Sequence, residues 1–322
     1  MKKNIAVIMG GYSSEKGISM LSGQVVVDNL DAKKYVIYPV HILIEKWIVS
    51  VNGKEYTIDK HDFSFTKENK KITFDCVFNA IHGSPVENGK LIAYFELLGI
   101  KHTSAPFYQM ALTFSKRDTL SVLKEYGVKC AKSIYINKGD EIDVDAIANT
   151  LKLPCFVKPN QAGSSFGISK VHKKENLLKA IDYAFTEGNE ILIESYLDGK
   201  EVTVGVTDFN GNPTILATTE IVSENDFFDY EAKYQGKSQE ITPARITKDE
   251  ENKLKKVSLK IYKVLGMKGI TRADYILINS EPYLIEINTV PGLTTKSIIP
   301  QQAIEAGFTL TEFFGMAIES AL

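Results

Sequence analysis

The sequence has few cysteines, little net charge and no long apolar run. Its 322 residues include three cysteines, Cys76, Cys130 and Cys155, which lie far apart and without C-x-x-C spacing. This usage argues against a zinc or dithiol site and favours buried free thiols in a reducing compartment. The net charge of -2 gives no bulk attraction to nucleic acid or to an anionic membrane. No apolar run approaches the roughly 20 residues that span a membrane.

The amino terminus reads MKKNIAVIMGG, and its apolar run of five residues is too short for the core of a signal peptide. We therefore expect a cytoplasmic protein with neither a nucleic-acid partner nor a membrane partner. With 44% hydrophobic residues, the chain is long enough for two or three packed units.

A hairpin is predicted near the carboxyl end. Residues 273–278 and 283–287 are rich in apolar and β-branched side chains, and a polar corner at residues 279–282 separates them. Asp274 starts one strand, while Glu286 and Asn288 end the other and share one face, so the three side chains are expected to converge.

Two carboxylates and one amide oxygen form a hard ligand set that suits Mg²⁺ carried in with substrate phosphates. The alternative is that Asp274 and Glu286 are ordinary solvated strand carboxylates. Arg272, placed immediately before the first strand, would add a permanent cation that can hold an anionic transition state.

The first 30 residues open like a doubly wound α/β unit. Residues 4–9 form a continuous apolar strand, Gly10-Gly11 form a turn, and a helical pattern follows. The spacing is not G-x-G-x-x-G, which argues against a dinucleotide site. A carboxylate at Glu15 would repel phosphate and attract an ammonium group. Alternatively, Ser13 or Ser14 caps the helix and Glu15 lies in its first turn.

Further along, His82 follows a predicted strand, where it could serve chemistry or structure. Residues 101–110, with Pro106, are predicted as a linker that closes the first unit near residue 105. Residues 110–127 are predicted as one helix with Ser115 as a polar interruption, and Lys116 would ordinarily belong to its solvated face.

A phosphate-binding loop is the other candidate site. Lys158 ends a short buried strand, where a lysine needs an anionic partner, and a phosphate would supply one. The following GSSFG, residues 163–167, offers glycine backbone and the hydroxyls of Ser164 and Ser165 for wrapping phosphate oxygens. A plain structural hairpin turn is the alternative.

Several of these segments together resemble a known family. The Asp on one strand and Glu-x-Asn on the next resemble the metal site of ATP-grasp enzymes, and EINTVPGLTTKS resembles the ENTxPGxTxxS signature of D-alanine:D-alanine ligases. GGYSSEKGIS is similar to their GGxSxExxxS, VKPNQAGSSFG to VKPxxxGSSxG, and FFDYEAKY to FYDYEAKY. HGSPVENG departs from their HGxxGEDG, because Pro85-Val86 replaces the middle glycine.

The resemblance implies an α/β fold, α+β in part, with the three-part ATP-grasp architecture and an N-terminal Rossmann-like parallel-sheet domain. The expected domains are residues 1–104, 105–195 and 196–322. It implies ATP-dependent ligation of two D-alanines through a D-alanyl phosphate, for peptidoglycan precursor synthesis. The cofactors would be ATP and Mg²⁺, as two ions that Mn²⁺ can replace, and the assembly a homodimer through the amino-terminal unit. D-alanine:D-lactate or D-alanine:D-serine ligation, and a non-catalytic nucleotide-binding regulator, are the alternatives.

The resemblance also assigns residues to roles. The metal ligands would be Asp274, Glu286 and Asn288. The nucleotide would be bound by Lys116, Lys158, Ser164, Ser165, Glu194, Tyr196, Leu197, Glu201 and Lys233. The amino-acid substrates would be bound by Glu15, His82, Lys233, Arg272, Gly292 and Ser297. The catalytic set would be Glu15, Ser164, Tyr234, Arg272, Gly292 and Ser297.

Overall fold

The computed structural model describes residues 2–163, 166–209, 211–223 and 238–322. Four residues expected at the site, Ser164, Ser165, Lys233 and Tyr234, lie outside these ranges. Within them, three main sheets and the helices around them form a mixed α/β architecture. No helix in the described ranges is long and apolar enough to cross a membrane.

The first sheet contains the amino-terminal strand in its interior. Its elements are β1 (Lys3–Gly10), β2 (Tyr35–Ile42), β3 (Trp47–Val51), β4 (Lys54–Thr57) and β7 (Cys76–Asn79), with β5 (Phe65–Lys67) and β6 (Lys70–Ile72) as a separate ribbon and helices α1 (Lys16–Asn29) and α2 (Lys90–Leu97). The strand order is β4-β3-β2-β1-β7, so β1 lies between β2 and the edge strand β7. Only β2, β1 and β7 are parallel, so the expected parallel sheet is limited to three strands. The connections from β2 to β4 are too short for crossover helices, which forces antiparallel pairing there.

Helix α1 packs closely on β1. Residues 5–9 are at most 1% exposed, which confirms a strand buried on both faces. A Cβ added at Gly23 would lie 2.7 Å from the Cβ of Met9, so glycine is what allows the helix to approach the strand. This packing places the start of α1 over the carboxyl end of β1.

The helix predicted over residues 110–127 is in fact two helices, α3 (Phe107–Phe114) and α4 (Lys116–Glu125). The backbone of Ser115 is extended, and its Oγ accepts a hydrogen bond from the Asp118 N–H at 3.4 Å. Ser115 therefore caps the second helix, as short hydroxyl side chains do. The predicted linker is shorter than expected, because α3 begins at Phe107 with Pro106 at its N-cap position.

The second sheet is antiparallel, in the order β10-β9-β11-β8. Its elements are β8 (Ser133–Asn137), β9 (Cys155–Pro159), β10 (Ser169–Val171) and β11 (Glu190–Ser195), with helices α5 (Val144–Leu151) and α6 (Leu177–Ala184) and a short 3-10 turn at Lys174–Asn176. Apolar side chains of α5 and α6 cover one face of this sheet.

The third sheet is also antiparallel, in the order β14-β13-β12-β15-β16. Its elements are β12 (Lys200–Phe209), β13 (Asn212–Ser223), β14 (Ser238–Ile241), β15 (Thr271–Ile278) and β16 (Glu281–Asn288), with helices α7 (Lys248–Val264), α8 (Ile298–Glu305) and α9 (Leu310–Ala321). The domain boundaries expected near residues 104 and 195 stay predictions.

The predicted hairpin is confirmed as β15 and β16, but its turn is tighter than expected. Asn279 and Ser280 have φ of 49° and 61°, the positive values of a two-residue hairpin turn. Glu281 and Pro282 therefore belong to β16, where Pro282 pairs with Leu277. Because β16 lies at the edge of the sheet, the missing proline N–H is tolerated.

Candidate active site

The hairpin brings together the three residues expected to bind metal. Asp274 lies opposite Glu286, and Asn288 lies opposite Arg272. A bulge after Asp274 shifts the register by one residue. The Asn288 Nδ2 donates a hydrogen bond to the Asp274 Oδ2 at 2.9 Å. That bond commits the amide nitrogen, so the amide oxygen is the atom that could act as a ligand.

Two cations accompany the carboxylates. Arg272 lies inside β15 rather than before it, and its Nε and Nη2 each donate to one carboxylate oxygen of Asp274 at 2.8 Å. The Lys116 Nζ is 3.2 Å from the Glu286 Oε2 and donates to the Ala162 carbonyl at 2.8 Å. These largely buried acids are stabilised by positive charge, since a buried carboxylate without a partner is costly.

A first cavity of about 360 Å³ lies on one side of this cluster. Among its lining residues are Glu15, His82, Glu87, Glu240, Arg272, Asn288, Gly292 and Ser297. It therefore contains every described residue expected to bind an amino acid.

A second cavity of about 490 Å³ lies on the other side. Among its lining residues are Lys158, Glu194, Tyr196, Leu197, Glu201 and Asp274. The two cavities share Lys116, Ile168 and Glu286. The predicted metal residues thus stand at the junction, with Asn288 lining the first cavity and Asp274 the second.

The acid-rich end of the first cavity contains Glu15 at the N-cap position of α1, before the first turn rather than in it. A Cβ added at Gly163 would lie 2.7 Å from the Glu15 Oε2, so the GSSFG loop begins against this carboxylate. The Glu87 Oε2 accepts from the Gly83 N–H at 2.7 Å. Burial, followed by the negative charge of Glu15, raises the pKa of Glu87 to about 8.

His82 lies beside these acids and is 5% exposed. Its Nδ1 is 2.7 Å from the Val290 carbonyl oxygen and its Nε2 is 3.2 Å from the Ser22 Oγ. Burial lowers the pKa of His82 below its ordinary value despite the opposing charge of Glu15. The ring is therefore neutral near pH 7.

The turn after β16 forms the other wall of the first cavity. A Cβ at Gly292 would lie 2.7 Å from the Ser297 Oγ, so the turn backbone and this hydroxyl are in close contact. The Thr294 Oγ1 is 2.8 Å from the Ser297 Oγ. Both Gly292 and Ser297 line the first cavity, and a backbone N–H beside a hydroxyl is suited to binding a carboxylate or an oxyanion.

The second cavity is lined by a buried ion pair and by aromatic side chains. Lys158 and Glu194 form an ion pair, and their side chains are 9% and 7% exposed. The partner that the sequence requires for Lys158 is therefore present within the protein. The Tyr196 ring packs near Phe156, with centroids 6.2 Å apart, and the Lys170 Nζ lies 4.2 Å from the Tyr196 centroid. These rings give the cavity an apolar wall of the kind that holds a flat heterocycle.

Comparison with known protein families divides the chain into two matched parts. A model described as D-ala D-ala ligase N-terminus matches residues 4–105, and one described as D-ala D-ala ligase C-terminus matches residues 122–319. The chain belongs to the D-alanine–D-alanine ligase family.

Curated relatives match this ligase over its whole length. The D-alanine–D-alanine ligase of Flavobacterium johnsoniae is 58% identical and that of Phocaeicola vulgatus is 42% identical, each alignment covering 99% of both chains. The D-Ala:D-Ser ligase VanG of Enterococcus faecalis has a structure with a TM-score of 0.90 and 30% identity, covering 100% of both chains. The structure of the Bacillus anthracis D-alanine–D-alanine ligase complexed with ATP has a TM-score of 0.80 and 28% sequence identity, covering 99% of this chain and 97% of that one.

Glu240 and Ser22 lie in or beside the first cavity and were not predicted from the sequence. Glu240 lines the first cavity from β14, where burial raises its pKa and the Gln301 Nε2 donates to it at 3.3 Å. Ser22 on α1 contacts His82. An acid in a short strand and a serine inside a helix give no local signal of a site, because only the tertiary fold brings them to the cavity.

Proposed function

We propose that this enzyme joins two D-alanines to form D-alanyl-D-alanine, using ATP and passing through D-alanyl phosphate, for peptidoglycan precursor synthesis. The family is one of ATP-dependent ligases acting on small molecules. The observation that carries the proposal is the junction of the two cavities at Lys116 and Glu286. A nucleotide in one cavity and an amino acid in the other would meet there, which is the proximity that transfer between bound molecules needs.

The second cavity would hold ATP. Tyr196 and Leu197 would line the adenine pocket and Glu194 and Glu201 would lie on the adenosine side. Lys116 and Lys158 would reach the phosphates, together with Ser164, Ser165 and Lys233 from outside the described ranges. The buried cations near the acids support this arrangement, because a phosphate brings the negative charge that such cations stabilise.

Asp274, Glu286 and Asn288 would hold Mg²⁺, as two ions, with Mn²⁺ able to replace it. Within the described ranges no group of three or more His, Cys, Asp and Glu side chains could hold a metal, so the site depends on the Asn288 amide as its third ligand. The all-oxygen donor set fits Mg²⁺, and the ion pairs that both acids form with cations support a preference for positive charge at this position. When bound, the metal would neutralise phosphate charge.

The first cavity would hold both amino acids. Glu15 would bind the ammonium of the first D-alanine, with His82 nearby, and Ser297 would bind the carboxylate of the second. Arg272 and the Gly292 N–H would stabilise the oxyanion of the tetrahedral intermediate, a contribution of about 3 kcal/mol for a well-placed donor. Tyr234 and Ser164, both outside the described ranges, would complete a hydrogen-bond link to Glu15.

The chemistry balances in two steps. A carboxylate oxygen of the first D-alanine forms a bond to the γ-phosphorus while the bond from that phosphorus to ADP breaks. The neutral amine of the second D-alanine then bonds to the carbonyl carbon, phosphate leaves with the electrons of the C–O bond, and the amine loses a proton. A free carboxylate is a poor acyl donor, which is why ATP is consumed.

Phosphate release from ATP, measured with each candidate substrate in turn, tests the proposal. D-alanine alone should give phosphate and D-alanyl-D-alanine in equal amounts. Turnover that requires D-lactate or D-serine as the second substrate, with no D-alanyl-D-alanine, would support the alternative ligases. D-serine must be among the tested substrates because the structurally similar VanG is named a D-Ala:D-Ser ligase. ATP binding with no substrate-dependent phosphate release would support the non-catalytic regulator.

The proposal extends to a homodimer formed through the amino-terminal unit and to a cytoplasmic location. Exposed apolar side chains of this unit, Leu97 at 87% and Leu98 at 39% exposure, are consistent with an interface there. Sedimentation equilibrium would report the mass of the assembly, and a monomer at micromolar concentration would contradict it.

A further inference from the structure

A buried serine and a histidine connect helix α1 to the turn that contains Gly292. Ser22 is 0% exposed, and its Oγ accepts a hydrogen bond from the Leu293 N–H at 3.2 Å. The same Oγ lies 3.2 Å from the His82 Nε2. On the other side of the ring, the His82 Nδ1 lies 2.7 Å from the Val290 carbonyl oxygen.

These contacts define where the protons lie. A carbonyl oxygen can only accept, so the His82 Nδ1 carries the proton and donates it to Val290. In the neutral ring, Nε2 is then an acceptor, and the Ser22 hydroxyl donates to it while accepting from Leu293. The Leu293 N–H, the Ser22 hydroxyl, the His82 ring and the Val290 carbonyl thus form a hydrogen-bond relay of four groups. Each donor in the relay has one acceptor, which favours a single fixed arrangement.

The two end groups of this relay, the Val290 carbonyl and the Leu293 N–H, belong to the backbone on either side of Gly292. Val290 and Leu293 are 5% and 2% exposed, so neither end of the turn can readily rearrange into solvent. Pro291 fixes one further dihedral angle between them. The position of the Gly292 N–H is therefore set from outside the turn, by Ser22 and His82.

We propose that Ser22 is a positioning residue that, through His82, holds the Gly292 N–H where the oxyanion develops. This inference rests on the proposed function. Loss of this positioning should affect only the second step of the reaction. Formation of the acyl phosphate does not use the Gly292 N–H, whereas attack by the amine uses it to stabilise the oxyanion. If the turn is loosened, the acyl phosphate persists longer and its spontaneous hydrolysis competes with ligation.

The test is Ser22→Ala, with phosphate and dipeptide both measured at saturating substrates. We expect kcat for the dipeptide to fall by about 10- to 100-fold, since misplacing a reacting group by about 1 Å costs on the order of 10². The ratio of phosphate to dipeptide should rise clearly above one, with KM for ATP within about twofold of the parent value. The ratio is a property of folded molecules only, so lower stability of the variant does not affect it.

Two variants and one spectrum separate positioning from a structural role. Ser258→Ala is the matched control, because Ser258 is also a buried helical serine, 1% exposed, bonded to the ring side chain of Tyr275 at 2.9 Å away from both cavities. It should keep a ratio of one, and Ser22→Thr should restore the ratio toward one by returning the hydroxyl. The ¹⁵N spectrum of His82 should show an Nδ1–H tautomer whose Nε2 resonance moves in Ser22→Ala.

A ratio of one in Ser22→Ala, with unchanged kcat, would overturn the inference while leaving the proposed function intact. A ratio that rises equally in Ser258→Ala, or an Nε2–H tautomer of His82 in the parent protein, would also overturn it. A parent protein that forms no dipeptide would overturn both the proposed function and the inference.

Discussion

Lys116 and Glu286 form an ion pair, with 3.2 Å between Nζ and Oε2, and both residues line both cavities. The lysine begins α4 and the glutamate lies near the end of β16, so the pair joins two distant parts of the chain. In the proposed reaction the transferred phosphoryl group would pass beside it. A cation at this point would stabilise the charge on that group as it moves.

Replacing Asn288 with alanine should weaken the proposed metal site without unfolding the protein, because the side chain is partly exposed to the first cavity. We expect the Mg²⁺ concentration for half-maximal turnover to rise at least about 10-fold, as loss of one ligating group or its support typically costs that much. Titration of Mg²⁺ against ATP turnover measures the effect. Chelation of divalent ions should abolish turnover in the parent protein.

The exposed Asn189 provides the control for this variant, because its replacement by alanine should leave the Mg²⁺ dependence unchanged. Full activity of Asn288→Ala at ordinary Mg²⁺ would remove this residue from the metal site.

Replacing Tyr196 with alanine should raise KM for ATP by roughly 10-fold, which corresponds to about 1.4 kcal/mol of lost ring contact. The ring stands near Phe156 and beneath the Lys170 ammonium in the second cavity. Steady-state kinetics with ATP as the varied substrate would show this, and KM for D-alanine should change little. Tyr183→Ala removes a half-exposed tyrosine outside both cavities as a control. Equal effects of the two variants on KM for ATP would argue against the assignment.

The raised pKa of Glu87 predicts that the free energy of unfolding depends on pH. Burial, with the charge of Glu15, raises its folded pKa from an ordinary 4.5 to about 8. Between these values the folded protein retains a proton that the unfolded chain has released, so stability falls as pH rises, by at most about 1.4 kcal/mol per pH unit. The stability that the folded protein gains from protonated Glu87 is fully present below pH 4.5 and is lost above pH 8.

Glu87→Gln removes the titration while keeping an oxygen that can accept from Gly83. The difference in unfolding free energy between Glu87→Gln and the parent protein should therefore grow in favour of the variant from pH 5 to pH 8 and then level off. Denaturant melts across this range measure it. A difference that does not vary with pH would show that Glu87 is ionised in the folded protein throughout.

Two glycines on α1 should respond in opposite ways to alanine. A Cβ at Gly23 would meet the Met9 Cβ at 2.7 Å, while a Cβ at Gly17 would meet nothing within 4 Å. Gly23→Ala should destabilise the protein by about 1–3 kcal/mol through overpacking. Gly17→Ala should be neutral or stabilising by up to about 1 kcal/mol, because alanine favours the helix. Thermal melts would separate them, and similar melting temperatures for both variants would show that α1 shifts to make room.

The β15–β16 hairpin could be predicted closely because its information is local. Alternating side chains and a polar corner give the strands, and antiparallel pairing then brings Asp274 toward Glu286. The turn was predicted too long, since Pro282 resembles a turn residue until its place on an edge strand is known. The single helix predicted across Ser115 was wrong because a serine is equally suited to the exposed face of a helix and to an N-cap.

Long-range pairing could not be predicted. Lys158 was expected to need an anion, but its partner Glu194 comes from the neighbouring strand β11 and is known only once β9 and β11 pair. In the same way, the sequence places Ser22 in a helix and His82 after a strand, more than fifty residues apart, and nothing local connects either to Val290. The cysteines show the limit as well, because Cys76 and Cys155 are buried as expected whereas Cys130 is only partly buried.

The most direct test follows the carboxylate oxygen. D-alanine labelled with ¹⁸O in its carboxylate is supplied with unlabelled ATP, and the released phosphate is analysed by mass spectrometry. If the carboxylate is phosphorylated before the amine attacks, each phosphate released during dipeptide formation carries one ¹⁸O from D-alanine. Unlabelled phosphate accompanying labelled dipeptide would contradict phosphoryl transfer between the two cavities.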